Sequence, residues 1–314
     1  MYCIQEAKKN RLPKVSVEMT TIVIGTLVSP QGAGPHPAVI LIGGSEGGDK
    51  MARLAPRFAE LGYLAATLPY FRYKGLPGEL VEIPVERVGL AIEALTARSD
   101  VDGKRIAIFG ISKGGELCLL AASHYPQIRA VIAVVPSPFA WQGIRTGGGV
   151  PQSSWTIGGK PVPFVPYTWK MRANFAAGFL MRRPVDLRGG YDHAVRRHRD
   201  RIRPTFFALE RIRGPVLFLS AGDDGIWNSE MQCEFAETYL REHSHPYADR
   251  HLKFDDAGHL FLVSSPEWPG LETRLGPFTL RHGGNTVANR DARERAWKEI
   301  GQFLHDTFNS DAAS

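Results

Sequence analysis

The segment "RIAIFGISKGGELCLLAAS" (105–123) constrains this chain more than any other. An apolar run ends in Gly110-Ile111-Ser112-Lys113-Gly114, and an apolar-periodic stretch follows at once. That order predicts a strand, a sharp turn and a helix, with Ser112 at the tip. Gly110 and Gly114 have no side chains, so helix and strand can approach closely. A serine held this way sits in a strained conformation, its hydroxyl raised above the carboxyl edge of a sheet. Open α/β sheets place their ligands at that edge. The plain alternative is a chance match to Gly-x-Ser-x-Gly, and the flanking strand and helix argue against it.

The remainder of the chain alternates in the same way. "AVILIGG" (38–44) is a short continuous apolar run, as in strands covered on both faces. Helices are predicted over 51–61, stopped by Gly62, and over 84–98, with Pro84 near the first turn. Strands are predicted over 63–70, 129–136, 215–222 and 250–256, and further helices over 229–243 and 290–308. "VSVEMTTIVIGTLVSP" (15–30) reads as one or two opening strands. Such alternation implies an α/β fold, a mostly parallel central sheet flanked by helices with right-handed crossovers. Residues 137–213 break the rhythm. They are rich in Pro, Gly, Trp and Arg, with weak helical patches near 170–182 and 190–201. The expectation is one domain over 1–314 with 137–213 as a cap-like insertion.

A serine hydroxyl needs a base, and the base needs an orienting acid. In this fold the chain order is Ser, acid, His. "LFLSAGDDGIW" supplies Asp223 and Asp224 just after a later strand, and "LKFDDAGHLF" supplies His259 after the last one. Asp224 is the preferred acid, because Asp223 is better placed to close the turn or cap a backbone N–H. Asp255 and Asp256 share the loop of His259 and read as turn residues. The other nine histidines lack such a position: His36 reads as a loop residue, His193 and His198 as surface groups. The oxyanion hole is expected to use the N–H of Lys113 and a second N–H from the loop after "AVILIGG", with Gly44 preferred over Ser45. The run "GGSEGG" (43–48) is not a phosphate cradle, since no Gly-Lys-Ser/Thr follows.

Charge is informative through its location. The chain carries a net +6, and Arg182 to Arg213 alone holds ten Arg against Asp186, Asp192, Asp200 and Glu210, which is also +6. The rest is balanced, so nucleic-acid binding is not indicated. Cys3, Cys118 and Cys233 are too few and too scattered for a disulfide framework or a zinc site, which suggests a reduced, cytoplasmic protein. No apolar run is long enough to span a bilayer. No metal or cofactor is required, and homo-oligomer formation is left open.

"FGISKGGELCLLAAS", "YFRYKGLP", "SAGDDGIWNSE" and "DDAGHL" together resemble the C-terminal α/β-hydrolase domain shared by acyl-CoA thioesterases and bile acid-CoA:amino acid N-acyltransferases. That family is related in turn to dienelactone-hydrolase-like enzymes. The resemblance runs from about Gly25 to about Phe308, and Gly283-Gly284-Asn285 with "AWKEIGQFL" fits the family's closing segment. It implies a Ser or Cys nucleophile, an Asp and a His acting on an acyl-CoA thioester. At the matching motif positions stand Ser112, Asp224 and His259. Transferases of the family tend to use Cys, so by this resemblance Ser112 favours water as the acceptor, and therefore hydrolysis. Eukaryotic members carry an N-terminal β-sandwich domain, whereas only the residues before about Gly25 precede the hydrolase core here. The expectation is therefore a chain without that domain.

The expected activity is an acyl-CoA thioesterase acting through an acyl-serine. The alternatives are a carboxylesterase or dienelactone-type hydrolase on non-CoA esters, an acyl-CoA:amine N-acyltransferase, and a hydrolase-fold binding protein without turnover. The arginines of 182–213, Lys113 and Arg72 are candidates to meet CoA phosphates, against the plainer reading of solvated, ion-paired surface. Trp141, Trp155, Phe164, Tyr167 and Trp169 are candidates to line an acyl tunnel, against the plainer reading of the insertion's own core.

Overall fold

A computed structural model describes residues 24–145 and 149–309. Seven strands form the central sheet: β1 (Leu27–Val28), β2 (His36–Ile42), β3 (Leu64–Thr67), β4 (Val101–Ile111), β5 (Ile128–Val134), β6 (Val216–Ala221) and β7 (Arg250–Phe254). Their order is β1-β3-β2-β4-β5-β6-β7. Only β1 runs antiparallel to its neighbour. This is the mostly parallel sheet of an α/β hydrolase. Its middle strands read as continuous apolar runs because both faces are covered.

One face packs against α2 (Glu86–Thr96), α3 (Lys113–His124) and α7 (Ser229–Glu242), through Val88, Ile92, Leu117, Leu119, Ala236 and Leu240 among others. The other packs against α1 (Ala55–Glu60) and α8 (Thr286–Asn309), through Phe58, Trp297, Ile300 and Phe303. A fully buried side chain of this size contributes about 1.5–3 kcal/mol relative to exposure.

Residues 137–213 contain α4 (Trp169–Met181), α5 (Arg188–Arg197), α6 (Arg199–Ile202) and short strand pairs. They share a third apolar cluster, in which Phe139, Trp141, Met171, Val185 and Tyr191 meet Trp227 from the loop after β6. A two-stranded hairpin, Glu272–Leu275 and Phe278–Arg281, joins them through the Val185–Leu280 bridge.

Several boundaries differ from expectation. Of the opening-strand segment, residues 15–23 lie outside the described residues, and only Leu27–Val28 is strand within them. His36 begins β2 rather than lying in a loop, because its N–H reaches the Asp100 carbonyl at 2.9 Å. Pro84 sits in a two-residue strand beside Trp155–Ile157, and α2 starts two residues later. The 51–61 helix is broken into a 3-10 turn over Lys50–Arg53 and the short α1. Gly62 follows it at φ 91°, a conformation that glycine adopts without strain.

Candidate active site

Strand β4 ends at the middle of the sheet, where Gly110 is in register with Ile42 and Ala133. Ser112 follows at φ 56° and ψ −120°, and its N–H is held by the Val134 carbonyl at 2.9 Å. A non-glycine residue in this region costs on the order of 1–3 kcal/mol. A Cβ on Gly110 would lie 2.3 Å from the Gly114 carbonyl oxygen, and one on Gly114 would lie 2.3 Å from that of Gly43. Both positions therefore require glycine, for the close approach that the sequence implied.

Ser112 occupies the N-cap position of α3, yet its side chain caps nothing. Its Oγ instead lies 2.8 Å from Nε2 of His259, 147 residues away in sequence. Nδ1 of that imidazole lies 2.9 and 2.8 Å from the two carboxylate oxygens of Asp224. An Nδ1–H donated to Asp224 leaves Nε2 free to accept the serine proton. The His259 N–H donates to the His282 carbonyl at 2.8 Å, and the Trp227 ring stands edge-on to the imidazole with centroids 5.6 Å apart. Asp224 is fully buried, and its Oδ1 also accepts the N–H groups of Ile226 at 2.9 Å and Trp227 at 3.1 Å.

The neighbouring acids have other tasks. Asp223 accepts both Arg281 bonds, at 2.7 and 2.6 Å, and the Gly284 N–H at 2.8 Å. It ties the closing loop to the acid turn. Asp255 and Asp256 are exposed in the turn after β7.

The N–H of Lys113 opens α3, where first-turn donors have no intrahelical acceptor. Gly44 is buried beside the serine, and a Cβ on it would lie 3.4 Å from the Cβ of Ser112. Its N–H, however, donates to Oε1 of the exposed Glu46 at 3.1 Å. Ser45 is exposed at the tip of the same turn. The Tyr70 hydroxyl braces this loop from below, within 2.9 and 2.8 Å of the Gly43 and Gly44 carbonyls.

The Lys113 side chain overturns an expectation. It is buried, with Nζ 2.6 Å from Oε1 of the fully buried Glu116. The same oxygen accepts the Trp155 Nε1–H at 2.6 Å and the Trp141 N–H at 3.1 Å. Burial pushes the Glu116 carboxyl above its ordinary range and the Lys113 ammonium below, and their mutual attraction only partly offsets this. Arg72 is exposed and bound to the Gly78 carbonyl at 3.1 Å. Trp141 and Trp155 are buried as core, whereas Trp169 is 64% exposed. Among the described residues, no group of three or more His, Cys, Asp and Glu side chains is disposed to hold a metal.

Sequence reasoning missed Glu116, Trp227 and His282. Glu116 stands three residues after Lys113, the helical spacing of a facing pair, which was a usable signal. Trp227 and His282 reach the imidazole only through tertiary packing.

Comparison with known proteins places the fold in a family. The family model described as "BAAT / Acyl-CoA thioester hydrolase C terminal" matches residues 84–310, well over half of the sequence. The chain belongs to that BAAT/acyl-CoA thioester hydrolase family. Among curated relatives of this BAAT-family chain, the peroxisomal succinyl-coenzyme A thioesterase of Mus musculus is 27% identical over 285 residues, covering 88% of this chain and 62% of the relative. The bile acid-CoA:amino acid N-acyltransferase of Mus musculus is 27% identical, covering 92% and 64%. Acyl-coenzyme A thioesterase 1 of Homo sapiens is 27% identical, covering 90% and 63%. The chain thus spans less than two thirds of these relatives. Relatives named for the peroxisome and the mitochondrion show that membership does not fix a compartment. Among solved structures, a dienelactone-hydrolase candidate of Klebsiella pneumoniae aligns with TM-score 0.52 at 17% identity, covering 88% of this chain and 90% of that one. Dipeptidyl peptidase 4 of Porphyromonas gingivalis aligns with TM-score 0.52 at 16% identity, covering 90% and 33%. At such identities the shared property is the α/β-hydrolase fold.

Proposed function

We propose that this BAAT-family hydrolase cleaves an acyl thioester through an acyl-Ser112 intermediate, with acyl-CoA as the substrate class. The observation that carries the reading is the unbroken hydrogen-bonded line from Ser112 through His259 to Asp224. His259 Nε2 takes the hydroxyl proton as Oγ attacks the carbonyl carbon. Asp224 holds the ring and stabilises the imidazolium. The oxyanion is received by the Lys113 N–H and, once Glu46 swings aside into solvent, by the Gly44 N–H. Each such donor is worth about 3–4 kcal/mol in the transition state. The imidazolium returns its proton to the leaving thiol. Water, deprotonated by the same Nε2, then attacks the acyl-serine, and the imidazolium gives that proton to Ser112 Oγ as its bond to the acyl carbon breaks and the acid leaves.

Ser112 rather than Cys favours water over an amine as acceptor. Relatives named as acyl-coenzyme A and succinyl-coenzyme A thioesterases support the CoA substrate. A second reading, a non-CoA ester hydrolase, is favoured by one observation: the Lys113 ammonium is sequestered from any CoA phosphate. A panel of palmitoyl-CoA, succinyl-CoA and nitrophenyl esters separates the two. Thioesterase function requires higher kcat/KM on the CoA substrates and its loss in Ser112→Ala. Undiminished turnover in Ser112→Ala, or failure of a fluorophosphonate to label Ser112, ends the serine mechanism.

A further inference from the structure

Helix α4 presents to solvent what a soluble surface ordinarily hides. Eight large hydrophobic side chains are exposed among the described residues, and four belong to this helix: Trp169 at 64%, Phe179 at 62%, Leu180 at 79% and Met181 at 62%. Trp169, Ala176 and Leu180 follow the i, i+7, i+11 spacing of one helical face, with Arg172 and Phe179 along its border. The opposite side is anchored in the protein. Met171 is buried in the insertion's cluster, Gly178 lies against Val185, and Phe175 stands edge-on to Phe278 with centroids 5.2 Å apart. The exposed residues are therefore not a frayed end that could fold inward.

The charges around this face have one sign. Lys170, Arg172, Arg182 and Arg183 lie on the helix or within two residues of its end, and no acid occurs between Trp169 and Arg183. The nearest carboxylate in sequence, Asp186, is held by Arg281 at 3.1 Å and by the Arg188 N–H at 2.9 Å. Among the described residues no ion pair neutralises these four cations; Lys170 instead lies 4.5 Å from the Trp169 ring centroid. A two-fold contact between copies would set this patch against itself, cation on cation with no acid between. What matches large apolar side chains and unpaired cations on one convex helix is a lipid–water interface with anionic headgroups.

We propose that α4 docks the protein reversibly, in the plane, on an anionic lipid surface. Trp169, Phe179, Leu180 and Met181 enter the acyl boundary, and the guanidinium groups reach back to the headgroup phosphates. The helix has 13 residues, about 20 Å, which is too short to cross a bilayer. Its buried side belongs to the cluster that contains Trp227, the residue edge-on to His259. A docked α4 would thus place membrane-borne acyl groups beside the insertion that borders the site. This inference stands on the patch alone and holds whether or not Ser112 is a nucleophile.

The full chain is sedimented with phosphatidylcholine vesicles with and without phosphatidylglycerol. The expected result is binding to the anionic vesicles only, weakened by salt. Arg172→Gln with Arg183→Gln should weaken it roughly thirtyfold, at about 1 kcal/mol per basic residue. Leu180→Glu should abolish it while leaving thermal stability and turnover of a water-soluble ester unchanged. Tryptophan emission should shift to the blue on binding, and Trp169→Phe should remove the shift but retain binding. No partition onto anionic vesicles overturns the proposal, as does equal binding by Leu180→Glu. A concentration-dependent dimer, or a complex with an acidic protein, that Leu180→Glu dissolves in the absence of vesicle binding also overturns it.

Discussion

Among the described residues, two serines head the same kind of hydrogen-bonded chain. Besides Ser112–His259–Asp224, Oγ of Ser220 lies 2.7 Å from Nε2 of His251, whose Nδ1 lies 2.7 Å from the Glu237 carboxylate. Pairing geometry alone therefore does not identify a nucleophile. Ser220 is fully buried within β6 and is not among the residues of positive φ. Ser112 combines the strained turn with the free first-turn donors of α3. A fluorophosphonate should accordingly label wild type and Ser220→Ala alike, and adduct mapping should find Ser112 alone. Asp224→Asn should lower kcat about a thousand- to ten-thousandfold, because the wrong imidazole nitrogen would then carry the proton. Thermal unfolding and ester kinetics on the same sample separate that loss from misfolding, since Asn keeps an oxygen for the Ile226 and Trp227 N–H groups.

Among the elements, α3 is the joint between sheet and insertion. Its Glu116 carboxylate gathers the Lys113 ammonium, the Trp155 indole N–H and the Trp141 backbone N–H at one oxygen. Glu116→Gln leaves the Lys113 ammonium buried without a counter-charge, at a cost of about 3–5 kcal/mol. Adding Lys113→Met removes the stranded charge and should recover most of the lost melting temperature. If the single variant melts with wild type, the pair has no structural role. This joint also shows what the sequence could tell. The strand–turn–helix around Ser112 was readable because backbone geometry limits which residues fit there, whereas Asp224 and His259 were reached only through the chain order Ser, acid, His and their places after late strands. Lys113 was misjudged because a lysine beside a nucleophile looks exposed until its buried acid partner is known. Trp169 was grouped with the core tryptophans because an irregular insertion has no period from which to separate inside from outside. The hairpin over 272–281 went unread for the opposite reason: its burial pattern is mostly exposed or intermediate, with no apolar run to mark it.

Across the whole molecule, two histidines set opposite limits on stability as pH changes. His282 is buried behind His259 with its Nε2 2.7 Å from the Thr273 hydroxyl and its Nδ1 without a partner. Burial first, and the neighbouring His259 second, lower its pKa from the ordinary 6.5 to about 4. The unfolded chain then binds a proton near pH 6.5 that the folded chain refuses until near pH 4. Stability is full above 6.5 and falls as pH drops between these values, by about 3 kcal/mol in all. His245 behaves in the other sense. Burial opposes its charge, yet the Asp249 carboxylate at 2.7 Å and the Ile212 carbonyl at 3.1 Å raise its pKa above the ordinary value. Its contribution is present below pH 6.5 and disappears as pH rises through the folded value. Urea unfolding of wild type, His282→Gln and His245→Gln across pH 4 to 9 tests both. The His282→Gln curve should be flatter than wild type on the acid side. The His245→Gln deficit should be largest near pH 5.5 and shrink toward pH 8.5. Parallel curves for all three proteins would mean that neither imidazole changes its proton affinity on folding, and that the acid limit lies with the carboxylates held by Arg98, Arg105, Arg250 and Arg281.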